Sequence, residues 1–136
     1  MARKHRDLAL CPCCSGKSYT DCCEPWHIGY STGTWAFTAE ELMRSRYTAY
    51  ALKLEDYLLQ TWHPDTRPAS LGLARETQTK WLGLEIRRSE STGKNTATVE
   101  FVAKYKTSGK AEQMHETSNF INSDGKWYYV NARHDD

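Results

Sequence analysis

Cys11-Pro12-Cys13-Cys14-Ser15-Gly16-Lys17-Ser18-Tyr19-Thr20-Asp21-Cys22-Cys23 contains all 5 cysteines of the chain. The spacing is C-x-C, then eight residues, then C-C, with Ser15-Gly16-Lys17 as a turn. Glycine suits such a turn because it takes positive φ without a steric penalty. The segment is rich in Ser, Thr, Lys and Pro and has almost no apolar side chains to bury. Something other than hydrophobic burial must therefore organise it. Three chemistries compete. The first is a closed tetrahedral metal site, with thiolates at about 2.3 Å from the ion. The second is a disulfide framework, which an odd cysteine count disfavours. The third is a redox thiol pair, which needs an exposed thiol of depressed pKa, and no cysteine here is singled out as one. Metal binding has the energy the segment lacks, on the order of 10–16 kcal/mol for zinc in small peptides. Four thiolates around a divalent zinc carry net charge −2, which Arg3, Lys4, Arg6 and Lys17 could offset, although such basic residues equally suit a solvated terminus. An all-sulfur site suits zinc and also iron.

The rest of the composition bounds the partners. The chain has 136 residues, the size of one domain or of one domain plus a small appendage. No apolar run is long enough to cross a membrane. The basic stretch Met1 to Leu10 lacks the apolar region of a secretory signal, so a reducing cytoplasmic setting is expected and disulfides are further disfavoured. The formal charge is +1, from 18 basic and 17 acidic residues, so no global attraction to nucleic acid is built in. Leu, Ile, Val and Phe total only 20 residues, but 5 Trp and 8 Tyr supply burial of their own.

Beyond Trp26, the stretch Gly29 to Thr34 is rich in Gly, Ser and Thr and marks a boundary. Thr38-Ala39-Glu40-Glu41 forms a capping box, with Thr38 accepting from the amide near Glu41 and Glu41 reaching back. A helix through Leu42, Met43, Tyr47, Tyr50, Ala51 and Leu54 follows. A second, shorter helix over residues 55–62 must end near His63, because Pro64 disfavours a helical residue before it. Residues 64–80 read as loop with one or two short helical turns. The period then changes to two. Leu82, Leu84 and Ile86 alternate, as do Ala97, Val99, Phe101, Ala103 and Tyr105. Residues 112–121 form a third candidate strand. In a fourth, Trp127, Tyr129 and Asn131 face away from Tyr128 and Val130. Asp124-Gly125 signals a hairpin turn, and Ser108-Gly109 serves similarly. Helices followed by an antiparallel meander predict an α+β fold, with the helices on one face of a curved sheet.

The cysteine segment resembles the SEC-C motif, named for the metal-binding tail of the SecA translocation ATPase. That motif runs C-P-C-x-S-G-K-x-Y-x-x-C-[CH]. The resemblance implies the ligands Cys11, Cys13, Cys22 and Cys23, with zinc as the cofactor and iron as the other candidate. Cys14 departs from the pattern, which usually has Gly there, and stands as a competing ligand or spare thiol. His27 is a remote ligand candidate that otherwise packs beside Trp26. The segments 38–50, Asp56-Tyr57-Leu58-Leu59, Thr61-Trp62-His63-Pro64, Trp81 to Ile86 and Asp124 to Val130 are similar to the bacterial YchJ family. That family implies a SEC-C knuckle and linker over residues 1–34 and a nuclear-transport-factor-like cone over residues 35–136. Some relatives carry a second SEC-C motif at the C-terminus, whereas all the cysteines of this sequence belong to the single motif at residues 11–23.

Cones of this type enclose a cavity between the first helix and the concave sheet. Arg46, Tyr47, Tyr50, Trp62, His63 and Trp81 are the candidate wall. Arginine among aromatic rings suits an anionic or planar ligand. Each also has a plainer role: the aromatics as core, Arg46 as an ion-pair partner, and His63 as a group that bonds the last helix carbonyls. No Ser-His-Asp spacing, phosphate-cradling loop or carboxylate pair stands out, so the reading leans away from an enzyme. The expected function is a metal-binding adaptor that contacts another protein through the knuckle. By resemblance, the partners include a chaperone, a ribosomal component or another protein of secretion and quality control. A contact with nucleic acid or the ribosome draws only on the small basic cluster. The alternative is a small-molecule-binding protein or enzyme that uses the cone cavity. The sequence specifies no assembly state.

Overall fold

The computed structural model describes residues 9–135, so Arg3, Lys4 and Arg6 lie outside the described residues. A cysteine loop leads into helix α1 (Glu24–Gly29) and a 3-10 turn (Tyr30–Thr32). Helices α2 (Ala39–Leu52) and α3 (Glu55–Gln60) follow, with a second 3-10 turn at Leu73–Arg75. Strands β1 (Thr79–Ser91), β2 (Thr96–Thr107), β3 (Lys110–Ser123) and β4 (Lys126–His134) complete the chain. They form one curved antiparallel sheet in the order β1-β2-β3-β4, with the helices packed on it. This is the expected α+β class.

The capping box starts α2. Thr38 Oγ1 accepts from the Glu41 amide at 3.0 Å. Glu41 reaches one residue further back than the usual box, and its Oε1 accepts from the Phe37 amide at 3.0 Å. Lys53, in the left-handed conformation (φ 60°), ends the helix. Both short hairpin turns have two consecutive positive φ values, Ser108 (52°) with Gly109 (84°) and Asp124 (54°) with Gly125 (83°). That pattern matches the right-handed twist of the flanking strands.

Helix α2 is the centre of the molecule. Leu42, Met43 and Tyr47 share a core with Val99, Phe101 and Phe120 of the sheet. Ser45 and Thr48 are also buried, on the side toward the cysteine loop. Ala49 joins Tyr57 and Leu58 of α3 in a second cluster. Cys11, Cys13 and Cys23 belong to the first core and do not stand apart from it.

Three register shifts in the sheet correct the simple alternation. Trp81 pairs with Tyr105 and Gly83 with Lys104, so Leu82 is the extra residue of a bulge. Trp81, Leu84 and Ile86 consequently face the core together, while Leu82 is turned out and 47% exposed. A second shift lies between Ile86 and Arg88. In β4, Asn119 pairs with Asn131 but Phe120 with Tyr129, which places an extra residue at Val130. Asn131 therefore faces away from Trp127 and Tyr129 and donates no side chain to the core. Its amide oxygen instead accepts from Asn119 Nδ2 at 2.8 Å.

Residues 61–66 run along the free edge of β4. The Tyr129 amide donates to the Thr61 carbonyl at 2.9 Å, and the His63 amide donates to the Tyr129 carbonyl at 2.7 Å. The edge is thereby capped, as exposed sheet edges generally must be. His63 is held by β4 and does not bond the last carbonyls of α3.

Candidate metal centre

The Cys14 amide donates to the Cys11 carbonyl at 3.1 Å, closing a tight turn that brings Cys11 and Cys13 together. The Cys11 amide donates to the Lys17 carbonyl at 2.9 Å and the Tyr19 amide to the Ala9 carbonyl at 3.0 Å, folding the loop back on itself. Cys22 and Cys23 then enter just before α1. One sulfur from each of Cys11, Cys13, Cys22 and Cys23 lies within 4.8 Å of every other. The Cys13–Cys22 separation is 3.5 Å and the Cys22–Cys23 separation 3.9 Å. A tetrahedron of thiolates at about 2.3 Å from a central ion has edges of about 3.8 Å. The sulfur spacing therefore fits a metal-sized centre and exceeds the ~2.05 Å of a covalent bridge.

The electrostatics agree with that fit. Hydrogen bonds from Cys11 and Cys23 lower the pKa of the Cys13 thiol. The same interactions, with Cys11 and Cys13, raise that of Cys23. Burial pushes Cys22 up to about 11. The first thiolate is stabilised by its S–H neighbours and then opposes further ionisation. Four thiolates in so small a volume need a cation at their centre.

The surroundings position the sulfurs. Thr48 Oγ1 of α2 lies 3.4 Å from Cys23 Sγ and 3.6 Å from Cys11 Sγ. Ser15 Oγ lies 3.1 Å from Cys22 Sγ. Arg44 Nη1 donates to the Cys13 carbonyl at 2.8 Å while its Nε pairs with Glu40 at 3.3 Å. Hydroxyls beside the sulfurs and a guanidinium on the ligand backbone are contacts of the kind that orient metal ligands. His27 is not a ligand. Its Nδ1 accepts from the Tyr19 hydroxyl at 2.7 Å and its Nε2 donates to the Ser45 carbonyl at 2.8 Å, the tautomer that satisfies both partners. Its ring stands edge-on to Tyr57 at 4.7 Å, and burial holds its pKa below the ordinary histidine value.

Cys14 lies outside the sulfur cluster. Its φ is 64°, the left-handed region where glycine is at ease. That conformation points its exposed sulfur to β1, where Sγ accepts from the Leu84 amide at 3.4 Å.

Of the six candidate wall residues, Arg46, Tyr47, Tyr50 and Trp81 line a cavity of about 300 Å³ between α2 and the sheet. Trp62 and His63 do not join them. The Arg46 guanidinium carbon lies over the Trp62 ring, 5.1 Å from its centroid, and Trp62 Nε1 is buried without a partner among the described residues. His63 faces a separate polar cleft with Asp56, Arg67 and Lys126. Met114, Glu116, Ser118 and Tyr129 are among the residues that line the rest of the cavity. On β3 the first three alternate inward with Phe120, and a charged residue in that series was the available signal.

A four-cysteine knuckle docked against helices and a curved antiparallel sheet defines the class: a SEC-C motif joined to a nuclear-transport-factor-like domain. Residues 38–132 match the family model described as the YchJ middle NTF2-like domain, and the chain belongs to the YchJ family. A UPF0225 protein of Chromobacterium violaceum is 51% identical over 135 residues, covering 97% of this chain and 98% of that protein. A UPF0225 protein of Bordetella parapertussis is 49% identical over 124 residues, covering 91% and 92%. The solution structure of a SEC-C motif containing protein from Rhodopseudomonas palustris superposes with a TM-score of 0.75 at 33% identity, covering 93% of this chain and 98% of that one. The crystal structure of a SEC-C motif containing protein from Psychrobacter arcticus gives the same TM-score at 30% identity, covering 97% and 86%. Among the described residues no helix is long and apolar enough to cross a membrane.

Proposed function

We infer that the protein is a zinc-binding adaptor of the cytoplasm, in which the ion shapes the knuckle of residues 9–34 into a rigid contact surface on the cone that follows. The observation that carries this reading is the convergence of four sulfurs, three of them buried, on a centre braced by Thr48. Four protein ligands close the coordination sphere, which suits a structural ion and leaves no position for substrate. Zinc is favoured over iron because a closed structural site has no use for redox chemistry.

The surface beside the centre supports a contact role. Phe37 is 77% exposed and its ring meets Trp26 edge-on at 5.2 Å. Trp26 borders a cleft with Cys22, Lys17, Asp21 and Arg44, so aromatic surface and both charge signs adjoin the knuckle. Such a mixture matches a protein partner better than a nucleic acid. The SEC-C resemblance points to chaperone, ribosomal or secretion proteins.

The test is metal analysis of protein purified from its native host, followed by affinity capture with and without a chelator. Stoichiometric zinc and a partner lost on chelation are expected. Stoichiometric iron would overturn the choice of metal, and capture of the same partner by metal-free protein would remove the knuckle from the contact.

A further inference from the structure

We propose that the cavity between α2 and the concave sheet is a binding site for a small monocarboxylate with a flat apolar body. The decisive residue is Arg46. It is 3% exposed, and no carboxylate pairs with it among the described residues. Its Nη1 donates to the Leu58 carbonyl and to Thr61 Oγ1, each at 2.7 Å. The faces of Tyr129 and Trp62 lie 4.4 and 5.1 Å from its central carbon. These contacts hold the plane of the guanidinium and offset part of its desolvation. Guanidinium has five N–H donors in a fixed fork, and the remaining ones have no acceptor among the described residues. They are not sealed off either, because Arg46 lines the cavity.

A buried cation is costly without an anion, and the partner that matches the fork is a carboxylate. An arginine serving only the core would have a carboxylate from the chain, and a core serving only stability would not leave about 300 Å³ open beside it. That volume corresponds to roughly ten water molecules at ~30 Å³ each, room enough for a substituted benzoate. The wall suits a flat body: the Trp81 ring stands against Tyr47 at 5.7 Å and Tyr50 at 6.1 Å.

Glu116 is the acidic group facing the same space. His134 Nδ1 lies 3.0 Å from its carboxylate, and burial raises its pKa, so its repulsion of an anion is weakened. Tyr50 and Tyr129 line the same space, and neither hydroxyl has a hydrogen-bond partner among the described residues.

The test uses the full metal-loaded chain and three probes of one shape: benzoate, neutral benzamide and cationic benzamidine. Binding is read by calorimetry and by quenching of tryptophan fluorescence. Benzoate is expected to saturate one site per chain. Benzamide is expected to bind roughly tenfold more weakly or worse, as the loss of a charge-assisted pair implies, and benzamidine not at all. Arg46→Gln should erase the preference for benzoate. Should that variant fail to fold, Ala103→Leu decides, because it fills the cavity from the sheet side and leaves Arg46 in place. Ala103→Leu should abolish binding with metal content and near-UV circular dichroism unchanged. Equal affinity for benzoate and benzamide, no saturation by benzoate in the millimolar range, or binding that survives Ala103→Leu would each overturn the proposal. The metal reading is measured separately and stands or falls on its own.

Discussion

Around residues 9–23 the chain buries sulfur, and along β1–β4 it buries rings and methyl groups; both sets meet on α2 in one core. The knuckle is closed locally, by backbone hydrogen bonds spanning a few residues that bring four cysteine sulfurs together. The sheet is closed non-locally, by ladders in which β2 pairs along its length with both neighbours. The difference teaches where each region's stability resides. On the metal-binding reading the knuckle depends on an ion, whereas the sheet depends on buried apolar area. The shared core makes the two regions neighbours without making their chemistry alike.

The sharpest way to break the comparison is to remove the ion. Chelation, or Cys23→Ser, should empty the site and forfeit a term on the order of 10 kcal/mol for organising the knuckle. Hydrogen exchange should then show loss of protection at the amides of Cys11, Cys14 and Tyr19, while β2 and β3 stay protected. Simultaneous loss of protection in the sheet would show that the ion holds up the whole core and would end the distinction.

The converse experiment attacks the sheet. Phe120 is 1% exposed and packs against Tyr129 at 5.9 Å. Phe120→Ala should cost about 3–5 kcal/mol, through lost transfer energy and a residual cavity. Denaturant titration measures that loss, and metal content at low denaturant should be unchanged. A variant that sheds metal before it unfolds would mean that the two regions are not separable.

These expectations also show what a linear pattern can carry. Cysteine spacing, the capping box before Leu42 and the two Gly-containing hairpin turns were legible, because each is decided by residues close in sequence. The bulges at Leu82 and Val130 were not. A single inserted residue reverses every later side chain, and nothing in Leu82-Gly83-Leu84 or Tyr129-Val130-Asn131 records which residue is inserted. The burial of the knuckle was hidden for a related reason. Cysteine packs as a small apolar group, and the polar α2 residues that receive it, Ser45 and Thr48, look like solvent-facing positions. Trp62 and His63 adjoin in sequence but point to different spaces, because the strand-like bridge of Trp62 to Tyr129 alternates their sides.

Thr48 sharpens the comparison where the regions touch. Thr48→Val keeps the shape and the β-branch and deletes the hydroxyl between Cys11 and Cys23. Competition with a chromogenic chelator should show metal affinity falling about 10–100-fold, as for the loss of other groups that orient ligands. Thr48→Ser should restore most of it. Unchanged affinity in the valine variant would mean that α2 supplies packing and nothing more.

The smallest effect is expected at Cys14, and it separates a ligand from a bystander within one short loop. Its backbone sits in the left-handed region, at a cost of about 1–2 kcal/mol for a residue with a Cβ. Glycine carries no such cost but has more freedom in the unfolded chain and would give up the sulfur contact to the Leu84 amide. These terms oppose one another, so Cys14→Gly should raise stability by less than ~1 kcal/mol. Metal content should be identical to that of the parent chain, in contrast with Cys22→Ser, which takes away a ligand. Loss of metal in Cys14→Gly would place Cys14 in the coordination sphere and displace one of the other four. If instead metal is retained but stability falls, the hydrogen bond to β1 is worth more than the strain, and this thiol is a strut between knuckle and sheet.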